Sequence, residues 1–543
     1  MVFARRSTTL LAAIIASCAM VLSLTACTSD NKTVVDGQTT VTSNSAGGVA
    51  VFTPSDGITL NQQMPLNKWA KLVPDLTKAL VDAGFKKGDI NHTTSDSLDK
   101  QSRAIQDFVV DHLSNNTTDD SGIAIAPDNM TLLVAPVVEA DASTRQYGDY
   151  VSQNLSTNDV TDEGATSDGE SSEDDSSKDD SSNTESDSTA SDEQAQAVDR
   201  LVSSLKLAKE SGMHVVLLGN SIEGYKPDAF VKFSDAQTIG KLQAEKMVSK
   251  LKLDKASKDN PKYIEVLLPY TAMDEKGNAN DSTFAQEAFR GIWQVLGSYY
   301  QKGVVESPSG TLDGKSTEND WQAVAYDAAK EGSTAKVLDK RLAKTDGQST
   351  LTRIDGIITM NDYIASEVVK ELDDLGYTGS AADINPQITI SGIVGNITGK
   401  KDLSRDAVPD PIKSPENDNA NDSSSSDDDA DKDTSASDKD RDSQWPLVTG
   451  YGAYVSNIPS IVNGKQWMTG MEDRQTIATD IAQACAKLNK DEALNSMPSI
   501  RNSEVGGVKK IPTISEPLLA VSAGNLKSAL IDPGYISLAD AGL

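Results

Sequence analysis

The sequence predicts an α/β protein built as two similar lobes, each a parallel sheet covered by helices, with a cleft between them. Three observations carry that reading. Short β-rich runs alternate with amphipathic helical stretches along most of the chain. Runs such as His214-Val-Val-Leu-Leu218 are apolar at nearly every position, as in strands covered on both faces. After removal of the leader, the tether and two acidic blocks, roughly 430 residues remain, too many for one α/β core.

The elements follow in order. Arg5 and Arg6 precede a short apolar run, Leu10 to Leu24, then Leu24-Thr25-Ala26-Cys27. A run of this length suits an export signal, not a permanent bilayer span. Leu-x-Ala before Cys27 resembles the bacterial lipobox, where the thiol receives diacylglycerol and cleavage just before it leaves an acylated Cys27. An ordinary secretory signal with an incidental cysteine is the plainer alternative. Residues 1–26 are thus read as the signal peptide and 27–47 as a flexible polar tether.

Strands are expected at Gly48–Thr53, Gly122–Ala126, His214–Leu218, Ala229–Phe233, Tyr263–Leu268, Gly356–Met360, Gln387–Val394 and Leu447–Tyr451. Trp69, Leu72, Val73, Leu76 and Leu80 recur at helical steps and stop at Gly84. Further helices are expected at Asp99–Leu113, Gln196–Gly212, Gln237–Leu251, Thr283–Gln301, Tyr363–Gly376 and Arg474–Leu488, with long loops at 273–282 and 303–350.

The formal charge is −31, from 81 acidic and 50 basic side chains, so no basic face exists to neutralise phosphates and a nucleic-acid partner is excluded. Asn158–Glu193 and Pro415–Ser443 hold 21 of the 31 net negative charges and almost no large apolar side chains. Such Ser/Asp-rich stretches bury too little surface to offset the entropy of ordering, so insertions at 156–194 and 402–443 are expected to be disordered. They lack the fixed Gly and closing Glu of an EF-hand loop.

Catalytic chemistry finds little support. The only histidines are His92, His112 and His214, and no His-Glu-x-x-His or Gly-x-Ser-x-Gly occurs. Gly314-Lys315-Ser316 lacks the first glycine of a P-loop, since Ser309 stands there. Cys18, Cys27 and Cys485 are the only cysteines, and loss of the first and acylation of the second leave Cys485 alone, with no disulfide framework and no thiolate metal site. The chain is therefore read as a non-enzyme without cofactor or metal.

Several segments, in order, resemble the type 1 periplasmic binding proteins of sugar ABC transporters, in particular the xylose-binding and multiple-monosaccharide-binding branch. Asn67-Lys68-Trp69 resembles that branch's Glu-Arg-Trp, Gln101 with Ile105 its Gln-x-x-x-Ile, and Gly122-Ile-Ala-Ile-Ala-Pro127 the strand that follows. Gly212-Met-His-Val-Val-Leu217 is similar to Gly-Ile-x-Val-Val, and Phe233-Ser-Asp235 through Gly240-Lys-Leu-Gln243 to Phe-Asp-Asn…Gly-x-Leu-Gln. Asp355–Asp362 with Ala365 resembles Asp-Gly-Ile-x-Ala-x-Asn-Asp-x-x-Ala, Gly464–Thr469 resembles Gly-x-Gln-x-Met-Thr, and Asn525–Tyr535 the closing Asn…Ile-x-x-Gly-Tyr.

The resemblance implies two Rossmann-like lobes joined by three hinge strands: lobe 1 at 48–234, lobe 2 at 235–472, a lobe 1 return at 473–510 and a C-terminal hinge with lobe 2 tail at 511–543. It implies a monomer, anchored outside the cell membrane through acylated Cys27, that closes on a carbohydrate and hands it to an ABC permease. Lys68, Trp69, Asn220, Asp235, Asn361, Asp362 and Tyr451 are the implied ligand residues. Such sites pair hydroxyl-binding side chains with an aromatic face. The pattern departs where Lys68 replaces Arg, where Gly219 or Asn220 replaces Asp, and where Thr449-Gly-Tyr-Gly452 lacks a carboxylate, which implies poor discrimination among simple monosaccharides. Each residue also has a plainer role: Trp69, Tyr451 and Trp467 as core, Asn361-Asp362 as a helix cap, Lys68 as a solvated lysine. A surface sensor or adhesion lipoprotein with a degenerate sugar site is the alternative function.

Overall fold

The computed structural model describes residues 46–55, 65–115, 125–138, 142–151, 153–156, 185–273, 280–343, 351–381 and 445–543. In chain order the elements run β1 (Gly48–Pro54), α1 (Trp69–Asp82), β2 (Ile90–Ser95), α2 (Leu98–Asn115), β3 (Met130–Val134), β4 (Asn154–Leu155), α3 (Glu185–Glu210), β5 (His214–Leu218), β6 (Ser221–Ile222) and β7 (Ala229–Lys232). Then come α4 (Ala236–Leu251), β8 (Lys262–Val266), β9 (Leu268–Pro269), α5 (Thr283–Gln301), β10 (Val305–Glu306), β11 (Ala325–Tyr326), α6 (Ser333–Arg341), β12 (Gly356–Ile358) and α7 (Asp362–Asp374). The chain closes with β13 (Leu447–Tyr451), β14 (Met468–Met471), α8 (Arg474–Leu488), β15 (Ile500–Val505), β16 (Val508–Ser515) and β17 (Leu519–Ser522).

Most of these strands form two large sheets, while β4 pairs with β6 and β9 with β11 in two-stranded ones. The first has the order β15-β16-β7-β5-β3-β1-β2 and is parallel except for the β15–β16 hairpin. The second has the order β10-β8-β12-β13-β14-β17 and is parallel except for β17.

Alternate strand residues feed opposite cores, as the two-residue period of a strand requires. In the first sheet Val49, Val51, Leu133, Val216 and Leu218 meet Trp69, Leu72 and Leu76 of α1 and Ile477 and Ile481 of α8. Their neighbours Ala50, Phe52, Leu132, Val134, Val215 and Leu217 meet Ile105 and Val109 of α2 and Leu201 and Leu205 of α3. The second sheet divides in the same way, with Ile358 against α4 and α5 and Ile357 against α6 and α7.

Among the described residues the chain passes between the sheets three times, at Phe233–Asp235, at Glu472–Asp473 and at Glu516–Leu518. β16 stays in the first sheet to Ser515, so the third passage follows that residue and not 511. The two-lobed α/β architecture implied by the sequence is the architecture observed.

Details differ. Most of the strand expected at Gly122–Ala126 lies outside the described residues; after it Pro127 opens a short 3-10 turn, and the apolar Met-Thr-Leu-Leu-Val that follows forms β3 and is buried throughout. α3 starts at Glu185, inside the stretch expected to be disordered. The stretch read as loop contains α6, whose Arg341 is buried beside Glu265 at 3.4 Å and donates to the Val324 carbonyl at 2.9 Å. β2 is polar and largely exposed, an edge strand without the apolar signature of its neighbours. The leader, the tether up to residue 45, residues 157–184 of the first acidic insertion, the 387–394 strand and the 402–443 insertion lie outside the described residues. Among the described residues no helix is long and apolar enough to cross a membrane.

Candidate functional site: the interlobe region and the loop that enters it

In open parallel sheets, ligand loops lie beyond the carboxyl ends of the strands. The segments after β12 and β13 here share strained backbone: Met360 (φ 69°) and Ala453 (φ 49°) take left-handed conformations that cost a non-glycine residue free energy. After Met360, the Asn361 side chain caps α7, with Oδ1 accepting from the Ile364 N–H at 2.9 Å.

Asp362 is fully buried. Its carboxylate accepts from Gln466 Nε2 at 2.7 Å, Thr469 Oγ1 at 2.8 Å and the Tyr454 N–H at 2.9 Å. Burial pushes this carboxyl up to about 6, against the pull of those donors. The fit is close: a Cβ on Gly450 would lie 2.2 Å from Asp362 Oδ1.

A second buried carboxylate stands on the hinge. Glu472 Oε1 accepts from the Ser234 N–H at 2.6 Å and from the Tyr451 hydroxyl at 3.4 Å, while the Ser234 and Tyr451 hydroxyls share a 2.5 Å hydrogen bond. The Glu472 N–H donates to Asn67 Oδ1 at 3.3 Å. No ion pair to Glu472 occurs among the described residues, and burial raises its carboxyl to about 7. Two of the three crossings and β13 are thus joined through one group.

The segment after β3 enters between the lobes. One helical turn, Ala142–Arg145, leads to Gln146-Tyr147-Gly148-Asp149-Tyr150. Tyr147 is 1 % exposed and belongs to the core of the second lobe, its ring 4.7 Å from Phe284 and 6.4 Å from Tyr451. Tyr150 belongs to the core of the first lobe, stacked on Phe233 at 4.8 Å. Gly148 between them has φ 99°, and a Cβ there would lie 2.6 Å from the Asn67 carbonyl oxygen, so glycine is required on both counts.

Six of the seven sequence-predicted ligand residues converge on this segment. Lys68 Nζ pairs with Asp149 at 3.0 Å, and the Trp69 N–H donates to the same carboxylate at 3.1 Å. The Trp69 ring is core, edge-on to Tyr150 at 5.0 Å and to Phe233 at 5.7 Å. Asn220 accepts from the Gln153 N–H and donates to the Pro136 carbonyl, both at 2.9 Å, which fixes the two ends of the segment. Asn361 Nδ2 donates to Gln146 Oε1 at 3.1 Å. Tyr451 faces Tyr147, and Asp362 holds the N–H of Tyr454, whose hydroxyl donates to the Gln146 carbonyl at 2.8 Å. The seventh, Asp235, stands apart: it caps α4 through Thr238 and pairs with Lys232 at 3.0 Å.

Gln146, Tyr147, Asp149, Tyr150 and Tyr454 were missed by sequence reasoning. The available signal was two tyrosines flanking a glycine in an otherwise polar stretch. Among the described residues no group of three or more His, Cys, Asp and Glu is arranged to hold a metal ion. A separate recess of about 470 Å³ in the second lobe is lined by Tyr270, Met273, Trp321, Tyr326, Asp327 and Lys330, none of them among the residues above.

No protein-family model matches the chain, and no curated protein matches it. Among solved structures it is similar to an ABC transporter solute-binding protein from Clostridium phytofermentans with bound β-D-glucose, at 17% identity over 91% of this chain and 99% of that one, TM-score 0.44. A carbohydrate transporter solute-binding protein from Chloroflexus aurantiacus, in complex with D-glucose, gives 18% identity over 91% and 98%, TM-score 0.43. An arabinose-binding protein from Geobacillus stearothermophilus gives 10% identity over 89% and 99%, TM-score 0.41. The fold as described rests on the chain's own sheet order and its three crossings.

Proposed function

We propose that this chain is an extracytoplasmic solute-binding protein, held at the membrane by an acylated Cys27, that captures a sugar between its lobes and delivers it to an ABC transporter permease. The observation that carries the reading is the set of three crossings between two parallel sheets, with the segments after β3, β12 and β13 meeting in one interlobe region. That layout suits a protein that opens and closes about a ligand. The lipobox-like Leu24–Cys27 and the serial motif resemblance support the same reading.

Capture at Asn361 competes with Gln146, whose amide oxygen already takes one of the two N–H groups of Nδ2. The occupied position favours a second reading, a surface sensor or adhesion lipoprotein with a degenerate sugar site. A thermal-shift panel of pentoses, hexoses, inositol and oligosaccharides on residues 46–543 separates the two. Transport binding predicts a rise in melting temperature with at least one sugar, through binding to the native state alone, and loss of that rise in Asn361→Ala. A flat panel returns the weight to the sensor.

A further inference from the structure

The groups that point to a ligand are satisfied by the chain itself, which raises the question of what that segment imitates. Gln146 presents a carbonyl acceptor to Asn361 Nδ2 at 3.1 Å and a backbone acceptor to the Tyr454 hydroxyl at 2.8 Å. Next to it the Tyr147 ring packs at a tilt on Phe284 at 4.7 Å and on Tyr451 at 6.4 Å. Hydrogen-bond acceptors beside an apolar ring surface that packs on aromatic side chains are also what a saccharide offers. The anchors on the other side belong to the first lobe: Asp149 to Lys68 and the Trp69 N–H, Tyr150 to the Lys68 carbonyl. One short segment therefore ties loops of both lobes together.

We propose that Gln146–Tyr150 is a built-in occupant of the interlobe site, a strap that holds the lobes together and that a ligand must expel. Gln146 and Tyr147 then set specificity: an entering molecule has to replace an acceptor at Asn361 and an apolar ring surface at Tyr451 and Phe284 together. A molecule supplying one alone does not pay for displacing the strap. The inference deepens the solute-binding reading and rests on it for the identity of the ligand, while the strap itself is tested without any sugar.

The experiment uses residues 46–543 as wild type, as Tyr147→Ala, and as the double variant Gln146→Ala with Tyr454→Phe. The double variant removes two polar ties and no core ring, so it stays informative if Tyr147→Ala does not fold. Without sugar, small-angle scattering should show a larger radius of gyration for both variants. Amide exchange at Tyr147–Tyr150 should speed up about thirtyfold in the double variant, the equilibrium weight of two neutral hydrogen bonds. Unchanged scattering and unchanged exchange in both variants overturn the strap. With D-glucose, D-xylose, L-arabinose and maltotriose as probes, any sugar bound by wild type should bind the double variant more tightly, since its competitor is weakened. Equal or weaker binding by that variant overturns the displacement. If no probe binds either protein while scattering and exchange change as expected, the strap stands and the solute-binding reading falls.

Discussion

Replacing Glu472 by glutamine isolates the cost of a carboxylate placed at a hinge without a cation. Glu472 is 2 % exposed, accepts from the Ser234 N–H and the Tyr451 hydroxyl, and has its carboxyl raised from 4.5 to about 7 by burial. In the unfolded chain the group ionises near 4.5, so between that value and about 7 the folded state holds a proton that the unfolded state has lost. The folded state binds more protons, and stability falls as pH rises through this window. The contribution is fully present below 4.5 and gone above about 7, a swing of about 3 kcal/mol. Glutamine keeps an acceptor for Ser234 and carries no charge at any pH. Urea denaturation at intervals from pH 4 to pH 8 should therefore show Glu472→Gln and wild type converging at the acid end, with the variant more stable by about 3 kcal/mol at the alkaline end. The difference between the two proteins cancels the titration of all other groups, Asp362 included. Parallel curves across the range would refute the reasoning, because they would mean that Glu472 titrates alike in the folded and unfolded chains.

Two other perturbations follow from the same region and from the leader. Gly450→Ala should destabilise by about 2 kcal/mol or more, since its Cβ would lie 2.2 Å from Asp362 Oδ1 and 2.8 Å from Gln466 Nε2, both tied into a buried network; a denaturation midpoint equal to wild type would contradict that packing. Cys27→Ser in the full-length chain should move the protein from the membrane fraction to the soluble fraction on cell fractionation, and continued retention would contradict the lipid anchor.

The fold was legible where the sequence signal is one of burial. His214–Leu218 and Leu447–Tyr451 read as strands because they are apolar on both faces, and the Trp69–Leu80 spacing read as a helix because only one face packs. β2 escaped because an edge strand can be polar, and β3 escaped because its apolar run follows Pro127 with no alternation to mark it. The candidate site was legible as a set of residue types but not as a set of contacts. Asn361 and Asp362 announce a helix cap and an acid, yet nothing local says that Gln146, far away in sequence, meets Asn361. Long-range pairing of polar side chains has no periodicity to betray it. Asp235 illustrates the reverse case: its local pattern, an Asp three residues before Thr238, suffices to explain its cap and ion pair without any ligand.

The placement of β16 has a consequence for biogenesis. This strand comes from near the end of the chain, yet it inserts beside β7, pairing Thr513 with Phe230 and Ile514 with Val231. Until it arrives, β7 presents an unpaired, largely apolar margin, and β14 likewise waits for β17. Neither sheet is complete until β16 and β17 have been made, so both depend on pairings between residues distant in sequence. A chain truncated shortly before Val508 would be left with both margins bare and a strong tendency to self-associate.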